Sequence, residues 1–299
     1  MPAYHVLYNP SASGGKGKDN AFKLKSSLQG ESLEFHDITE IENYTSFFGG
    51  LGKNDKVIIS GGDGTLNRFV NNISDIDISA ELYYHASGSG NDFAKDIGMN
   101  KGIIQPLEPF IENLPIATVN GENYRFINGI GYGIDGYVCE EYDKKRENGK
   151  KSGKLTYSII ALAGLLFFYK KRNAKITVDG VTKYYKDVWL APTMNGRYYG
   201  GGIMISPDQN RLNSDGTVSL IVAHEKSRLR LLTVFPKIYS GKHLKHTDIV
   251  EVLNGHNISV SFDTPCALQI DGETKKNVLS YSVKALCPSH NSNKETMNV

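Results

Sequence analysis

The sequence predicts a doubly wound α/β N-terminal domain over residues 1–117, followed by a β-sandwich-like second domain with helical inserts over residues 118–287. Three observations carry this reading. Strand, glycine loop and helix signals alternate repeatedly through the N-terminal third. Short alternating runs punctuated by Asn-Gly and Asp-Gly pairs dominate from Ala117 onward, as antiparallel hairpins require. At 299 residues, 39% of them hydrophobic, the chain exceeds one typical domain and has enough apolar surface for two cores.

The elements follow in order. His5 to Asn9 is a short buried strand that runs into the Gly- and Ser-rich loop Pro10 to Gly17, then a helix over Lys18 to Leu28. Leu33 to Ile38 is the second strand. Val57 to Ser60 is an apolar β-branched run followed by Gly61-Gly62-Asp63-Gly64-Thr65 and a helix from Leu66 to Ile73. Glu81 to Ala86 is a further strand, followed by Gly88-Ser89-Gly90-Asn91-Asp92 and a helix from Phe93. A mainly parallel sheet with helices on both faces puts all three glycine loops at one sheet edge, where open α/β folds bind ligands. Beyond Pro106 to Pro115 come the hairpin runs, interrupted by helical inserts at 152–170 and 226–241. The polar residues 288–299 read as a disordered tail.

Composition narrows the function. Lys plus Arg number 34 against 32 acids, a formal charge of +2, which argues against a bulk nucleic-acid binder. Cys139, Cys266 and Cys287 show no paired metal spacing and read as reduced thiols. The start MPAYHVLYNP lacks the pattern of a signal peptide, so a cytoplasmic protein is expected. Leu155 to Tyr169 is apolar but shorter than the ~20 residues a membrane-crossing helix needs. It reads as a buried or interfacial helix.

The glycine loops carry the chemistry. Glycine lets backbone approach a phosphate and adopt positive φ, and the helix that follows offers unpaired N–H groups to an anion. Asp63 beside a polyphosphate is repulsive unless a cation such as Mg²⁺ lies between them. A tight strand-to-helix turn also uses Gly and Asp. Asn9, Pro10, Ser11, Ser13, Gly14, Gly15 and Lys16 add small residues and one cation, and the loop at Gly88 adds a hydroxyl, an amide and a carboxylate.

Gly61-Gly62-Asp63-Gly64-Thr65-Leu66-Asn67, then Gly88-Ser89-Gly90-Asn91-Asp92-Phe93-Ala94, resemble the diacylglycerol-kinase catalytic family, of NAD-kinase-like fold. Asn9-Pro10 and Gln269-Ile270-Asp271-Gly272-Glu273 match the remaining landmarks in order, so the similarity spans residues 3 to 287. The resemblance implies ATP as donor, Mg²⁺ as its companion and a lipid hydroxyl as acceptor, most simply diacylglycerol. It implies ATP contacts from Asn9, Pro10, Ser11, Gly14, Gly15, Lys16, Thr39 (with Thr45 as its neighbouring alternative), Gly61, Gly62, Asp63, Gly64, Thr65, Leu66, Asn67 and Ser89. It gives Glu273 the role of general base, with Asp92 and Asp63 completing the acidic cluster. It also implies a second metal turn, with Asp215 and the main-chain oxygens of Leu212 and Thr217 as ligands. A solvated carboxylate after a hairpin turn is the plain alternative for Glu273, and a metal-free β-turn that for Asp215.

A lipid acceptor requires transient docking at a membrane surface. The apolar helix around Ile159 to Phe168 and the segment Lys226 to Lys245, where Leu229, Leu231, Leu232, Val234 and Phe235 interleave with Arg228, Arg230, Lys237 and Lys242, have interfacial composition. Both equally suit covers for the sandwich core. A homodimer is compatible with the sequence. Gly131-Tyr132-Gly133-Ile134-Asp135-Gly136 satisfies GxGxxG, but the match is weak and reads as structural, with Asp135 placed towards the cleft. His243 and His246 lack acidic partners in sequence. An NAD-kinase-like small-molecule kinase and a non-catalytic nucleotide-binding membrane module are the competing functions.

Overall fold

The computed structural model describes residues 2–100, 102–147, 154–224 and 227–286; the tail 288–299 and Cys287 lie outside them. Four parallel strands and one antiparallel edge strand build the first sheet: β1 Ala3–Tyr8, β2 Ser32–Asp37, β3 Lys56–Gly61, β4 Glu81–Ala86 and β5 Ile104–Pro106, in the order β2-β1-β3-β4-β5. Both faces are covered, as buried parallel strands require. Val6, Tyr8 and Ile58 pack on one side against Ala21 and Leu24, from the short helices Gly17–Phe22 and Leu24–Ser27. Leu7, Val57 and Ile59 pack on the other with Leu66, Phe69 and Val70. These last three share one stripe of the helix Asp63–Asn72.

The helix expected over Lys18 to Leu28 is thus two short pieces. The helix Tyr44–Gly49, started by Asn43 accepting from the Ser46 N–H, and the antiparallel β5 were not expected. The order reverses beside β1, and Asn9, Gly62 and the Gly88 loop all lie at the C-terminal ends of β1, β3 and β4.

The chain enters the second sheet at β6 Ile116–Val119, so the expected boundary at 117 falls inside that strand. β7 Glu122–Arg125, β8 Gly129–Tyr132, β9 Arg172–Val178, β10 Val181–Val188, β11 Thr193–Met194, β12 Val218–Ala223, β13 Val250–Gly255, β14 Asn257–Ile270 and β15 Glu273–Lys284 pair antiparallel throughout. The long strand β14 bonds β9 through Ile258 to Phe262 and β8 through Leu268 to Ile270. Register shifts separate the two stretches, so the sheet bends around a core that includes Phe126, Tyr132, Val260 and Tyr281.

A second core lies under helical cover. The helix Ile134–Glu147 was not expected, because the glycine motif at its start gives no helix signal. The helix Lys154–Ala163, its π-helical continuation Gly164–Phe168, the helix Arg228–Val234 and the 3₁₀ turn Phe235–Ser240 correspond to the expected inserts. No helix among the described residues is long and apolar enough to cross a membrane.

Candidate active site

Hydrogen bonds stitch the three glycine loops into one floor. Asn9 accepts from the Ser11 N–H through Oδ1 and donates from Nδ2 to the Thr65 hydroxyl at 3.2 Å. Ser13 donates to the Ser87 carbonyl at 2.8 Å. The N–H groups of Ser87 and Gly88 both reach the Gly61 carbonyl. Two glycines are needed for close approach: a methyl on Gly88 would sit 2.3 Å from the Gly62 Cα. Ser13, Gly14 and Gly15 all take left-handed φ, which glycine adopts without cost. Nothing lies within 4 Å of where a Cβ would stand on Gly14, Gly15 or Gly64. The floor is open on the side a polyphosphate would occupy.

Asp63 has a protein role that sequence does not reveal. Its Oδ2 accepts from the Asp92 N–H and its Oδ1 from the Phe93 N–H, each at 2.9 Å, capping the helix Asp92–Asp96; Asn128 adds a third donor at 3.2 Å. Three of about four lone-pair positions on the carboxylate are therefore taken. Asp92 is buried and accepts the Gly201 N–H at 2.7 Å. Asp63 and Asp92 fit Mg²⁺ held through water, the usual habit of that ion, rather than a direct carboxylate cage.

Other expected contacts fall variously. Lys16, Ser11, Thr39 and Ser89 are exposed. Thr39 lies in the 3₁₀ turn Ile38–Glu40, which Asp37 caps by accepting both the Thr39 N–H and its hydroxyl. Leu66 is fully buried in the first core, so only its backbone can face a ligand. Asn67 donates to the Asp271 carboxylate at 2.8 Å and to the Arg125 carbonyl at 3.1 Å.

Glu273 opens β15 after a tight turn in which Asp271 and Gly272 both have positive φ. Half-exposed, it accepts from Arg68 at 2.8 Å, and Arg68 lies on the helix that follows the Asp63 loop. Asp271 points inward instead. It accepts from the N–H groups of Ile127, Asn128 and Gly129 and from Asn67. Burial pushes its pKa up to about 6 against those donors. A second tie joins the domains at Asp96, which takes Arg197 Nε at 2.7 Å and the buried Arg211 Nε at 2.6 Å. Asp271, Asn128, Asp96, Arg197 and Arg211 escaped sequence reading because their partners lie far away along the chain. The one local signal was an Asp at the first position of an Asp-Gly turn.

At the Asp215 turn, expected to hold a second metal, the Thr217 carbonyl accepts from Gln209 at 3.0 Å and Asn213 at 2.9 Å, and Asp215 Oδ1 accepts the Thr217 N–H and hydroxyl. Those hydrogen bonds hold the carboxyl below its usual range. Leu212 donates its N–H to Asn210 Oδ1 in the same turn. Asp135, expected at the cleft, instead faces the apolar second core. The three glycines around it fit against protein, since methyls on Gly131, Gly133 and Gly136 would each meet a neighbour within 2.6 Å. Asp135 shares a hydrogen bond with Tyr199, its Oδ2 has no protein partner, and burial pushes its pKa up to about 7.

An open α/β sheet with a glycine-loop floor, joined through carboxylates to a β-sandwich-like domain, defines the NAD-kinase-like two-domain class. Residues 3–118 match the family model of the diacylglycerol kinase catalytic domain, and residues 128–286 match the YegS C-terminal NAD kinase beta sandwich-like domain. The chain belongs to the diacylglycerol kinase catalytic-domain family. It is 27% identical over 203 residues to a diacylglycerol kinase of Mycobacterium tuberculosis, a match spanning 65% of this chain and 63% of that protein. It is 28% identical over 239 residues to the "Probable lipid kinase YegS-like" protein of Shewanella frigidimarina, covering 77% of this chain and 75% of that one. Among solved structures, a diacylglycerol kinase from Bacillus anthracis aligns with a TM-score of 0.65 at 20% identity, covering 95% of this chain and 94% of its own, a likeness of fold.

Proposed function

We propose that the chain is an ATP-dependent lipid kinase that transfers the γ-phosphate of ATP to a lipid hydroxyl, with diacylglycerol as acceptor and phosphatidic acid as product. The observation that carries this is the single open floor made by three stitched glycine loops, with the Glu273 hairpin tied to the helix that leaves it. Backbone N–H groups of the floor would hold the phosphates. Glu273 takes the acceptor proton as the lipid oxygen bonds to the γ-phosphorus and the bond to ADP breaks. Mg²⁺, when bound near Asp63 and Asp92, neutralises phosphate charge. Asp63 itself fixes the Gly88 loop against the Gly61 loop, and Arg68 orients Glu273.

The lipid side is supported by the second core. A cavity there is lined by Ile134, Trp189, Ile203, Ile221, Leu231 and Val250, with Asp135, Tyr199 and His243 as its polar members. Its free space is about 70 Å³, roughly two waters, so an acyl chain would enter only as the covering helices part. Those helices expose Ile159, Leu162, Phe167, Phe168 and Leu229. Such an apolar patch suits transient contact with a cytoplasmic membrane surface. Three of the four cations read earlier as membrane contacts are engaged within the protein. Arg228 donates to the carbonyls of Gly164 and Tyr169, Arg230 pairs with Asp248, and Lys237 meets His246.

Incubation with labelled ATP and vesicles carrying diacylglycerol, phosphatidylglycerol, a sphingoid base or a polyprenol tests the proposal. Label is expected in phosphatidic acid, and Glu273→Gln should cut turnover by about 10² while keeping ATP binding. Label in NAD instead of lipid, or near-normal turnover of the variant, would overturn it.

A further inference from the structure

We infer that His5, Glu34 and His36 form a binding site for a transition-metal dication of the Zn²⁺ type, apart from the glycine-loop floor. β1 and β2 run parallel with His5 opposite Glu34, and His36 lies two residues further on, so all three side chains share one face of the sheet. His5 Nδ1 lies 3.1 Å from His36 Nε2 and 3.5 Å from Glu34 Oε2, and the third side of the triangle, His36 Nε2 to Glu34 Oε2, is 3.9 Å. A tetrahedral ion with arms of roughly 2.0–2.1 Å places its ligand atoms about 3.3–3.4 Å apart. Shifts of about half an ångström or less bring these three onto one face of that tetrahedron. The fourth position is left for water or another small ligand.

The surroundings prepare His5 for coordination. Its other nitrogen, Nε2, lies 3.2 Å from Asp55 Oδ2. Asp55 is fixed by accepting the N–H groups of Ala3 at 2.8 Å and Gly52 at 2.7 Å. With the carboxylate as acceptor the His5 proton belongs on Nε2, and the Nδ1 lone pair is directed at the cluster. A carboxylate behind a histidine is the usual outer support of a metal ligand. Phe47 packs edge-on against both imidazoles and closes the inner side. Glu34 is exposed and His36 half-buried, which gives an ion a path in from solvent.

Two imidazoles and one carboxylate favour zinc-like ions over Mg²⁺, which prefers oxygen donors. His5 stands four residues before Asn9 on an extended strand, roughly 13 Å from the glycine floor. The bound ion would clamp the edge strand β2 to β1.

Equilibrium dialysis of tag-free full chain against Zn²⁺, with metal analysis, tests this in the presence of excess Mg²⁺. One Zn²⁺ per chain at micromolar affinity or tighter is expected. The midpoint of thermal unfolding should rise by about 4 °C at a hundredfold excess over Kd. Co²⁺ in the same site should show the visible bands of tetrahedral coordination. His36→Ala and Glu34→Gln alter side chains that are not fully buried and should fold, yet each should weaken binding tenfold or more. Asp55→Asn should weaken it 10- to 100-fold. Absence of stoichiometric Zn²⁺ binding, or unchanged affinity in both His36→Ala and Glu34→Gln, overturns the assignment. Neither readout depends on kinase activity.

Discussion

Asp135→Asn offers a quantitative test of the second core. Asp135 lies in the first turn of the helix Ile134–Glu147, faces an apolar cavity and has one oxygen without a protein partner. Burial raises its pKa from 3.8 to about 7, outweighing the hydrogen bond from Tyr199. Because the folded value lies above the unfolded one, the folded state holds the extra proton between those limits. The linked stability is fully present below pH 4, falls by about 1.4 kcal/mol per pH unit as pH rises, and is lost above pH 7. The whole interval corresponds to about 4 kcal/mol, and the stretch from pH 5 to pH 7 to about 2 kcal/mol. Asn cannot titrate, so it should match the parent near pH 5 less a constant offset and gain on it by about that much at pH 7. Urea unfolding can be followed through Trp189, the single tryptophan, which lines the same cavity. A difference between parent and variant that stays flat from pH 5 to pH 8 would refute the buried, proton-binding carboxylate.

Gly88→Ala should lower ATP affinity at least tenfold by calorimetry, because its methyl would meet Gly62 Cα at 2.3 Å and push the two loops apart. Paired Phe167→Ser and Phe168→Ser substitutions should leave stability within about 0.5 kcal/mol, since both rings are exposed, yet reduce co-sedimentation with anionic vesicles several-fold. Asp96→Ala leaves the buried Arg211 guanidinium without its carboxylate and should cost about 3–5 kcal/mol in denaturant unfolding.

The first sheet was legible because each strand, loop and helix is specified locally. β4 falls on its expected residues, and β1 to β3 fall within two of theirs. The glycines at 61, 62 and 88 were legible for the same reason. What was not legible depends on a distant partner. A carboxylate inside a glycine loop reads as a cation ligand, and nothing local shows that Asp63 also accepts N–H groups nearly thirty residues away. At the Asp215 turn, likewise, nothing local announces the amides of Gln209 and Asn213 on the Thr217 oxygen. Basic residues in an apolar helix suggest a membrane, yet Arg228 stacks over Trp189 and holds two carbonyls, leaving the exposed phenylalanines as the better candidates.

The long-range contacts share one arrangement. Asn128 donates to Asp63 and accepts from Arg211 through its side chain and gives its backbone N–H to Asp271, so one residue connects the glycine loop, the hairpin turn and the buried arginine. Asp271 in turn holds Asn67, which lies on the helix that leaves the glycine loop, one residue before Arg68. Glu273 sits two residues beyond Asp271 and is held by that Arg68. The proposed base is therefore set against the glycine-loop floor from two sides, by the Asp271 clamp on its backbone and by the Arg68 guanidinium on its carboxylate. The clamp is buried and the ion pair is half in water, so the clamp should supply most of the rigidity. The Asp-Gly turn thus does two things: it reverses the chain, and it ties the second domain to the helix of the first that carries the glycine loop.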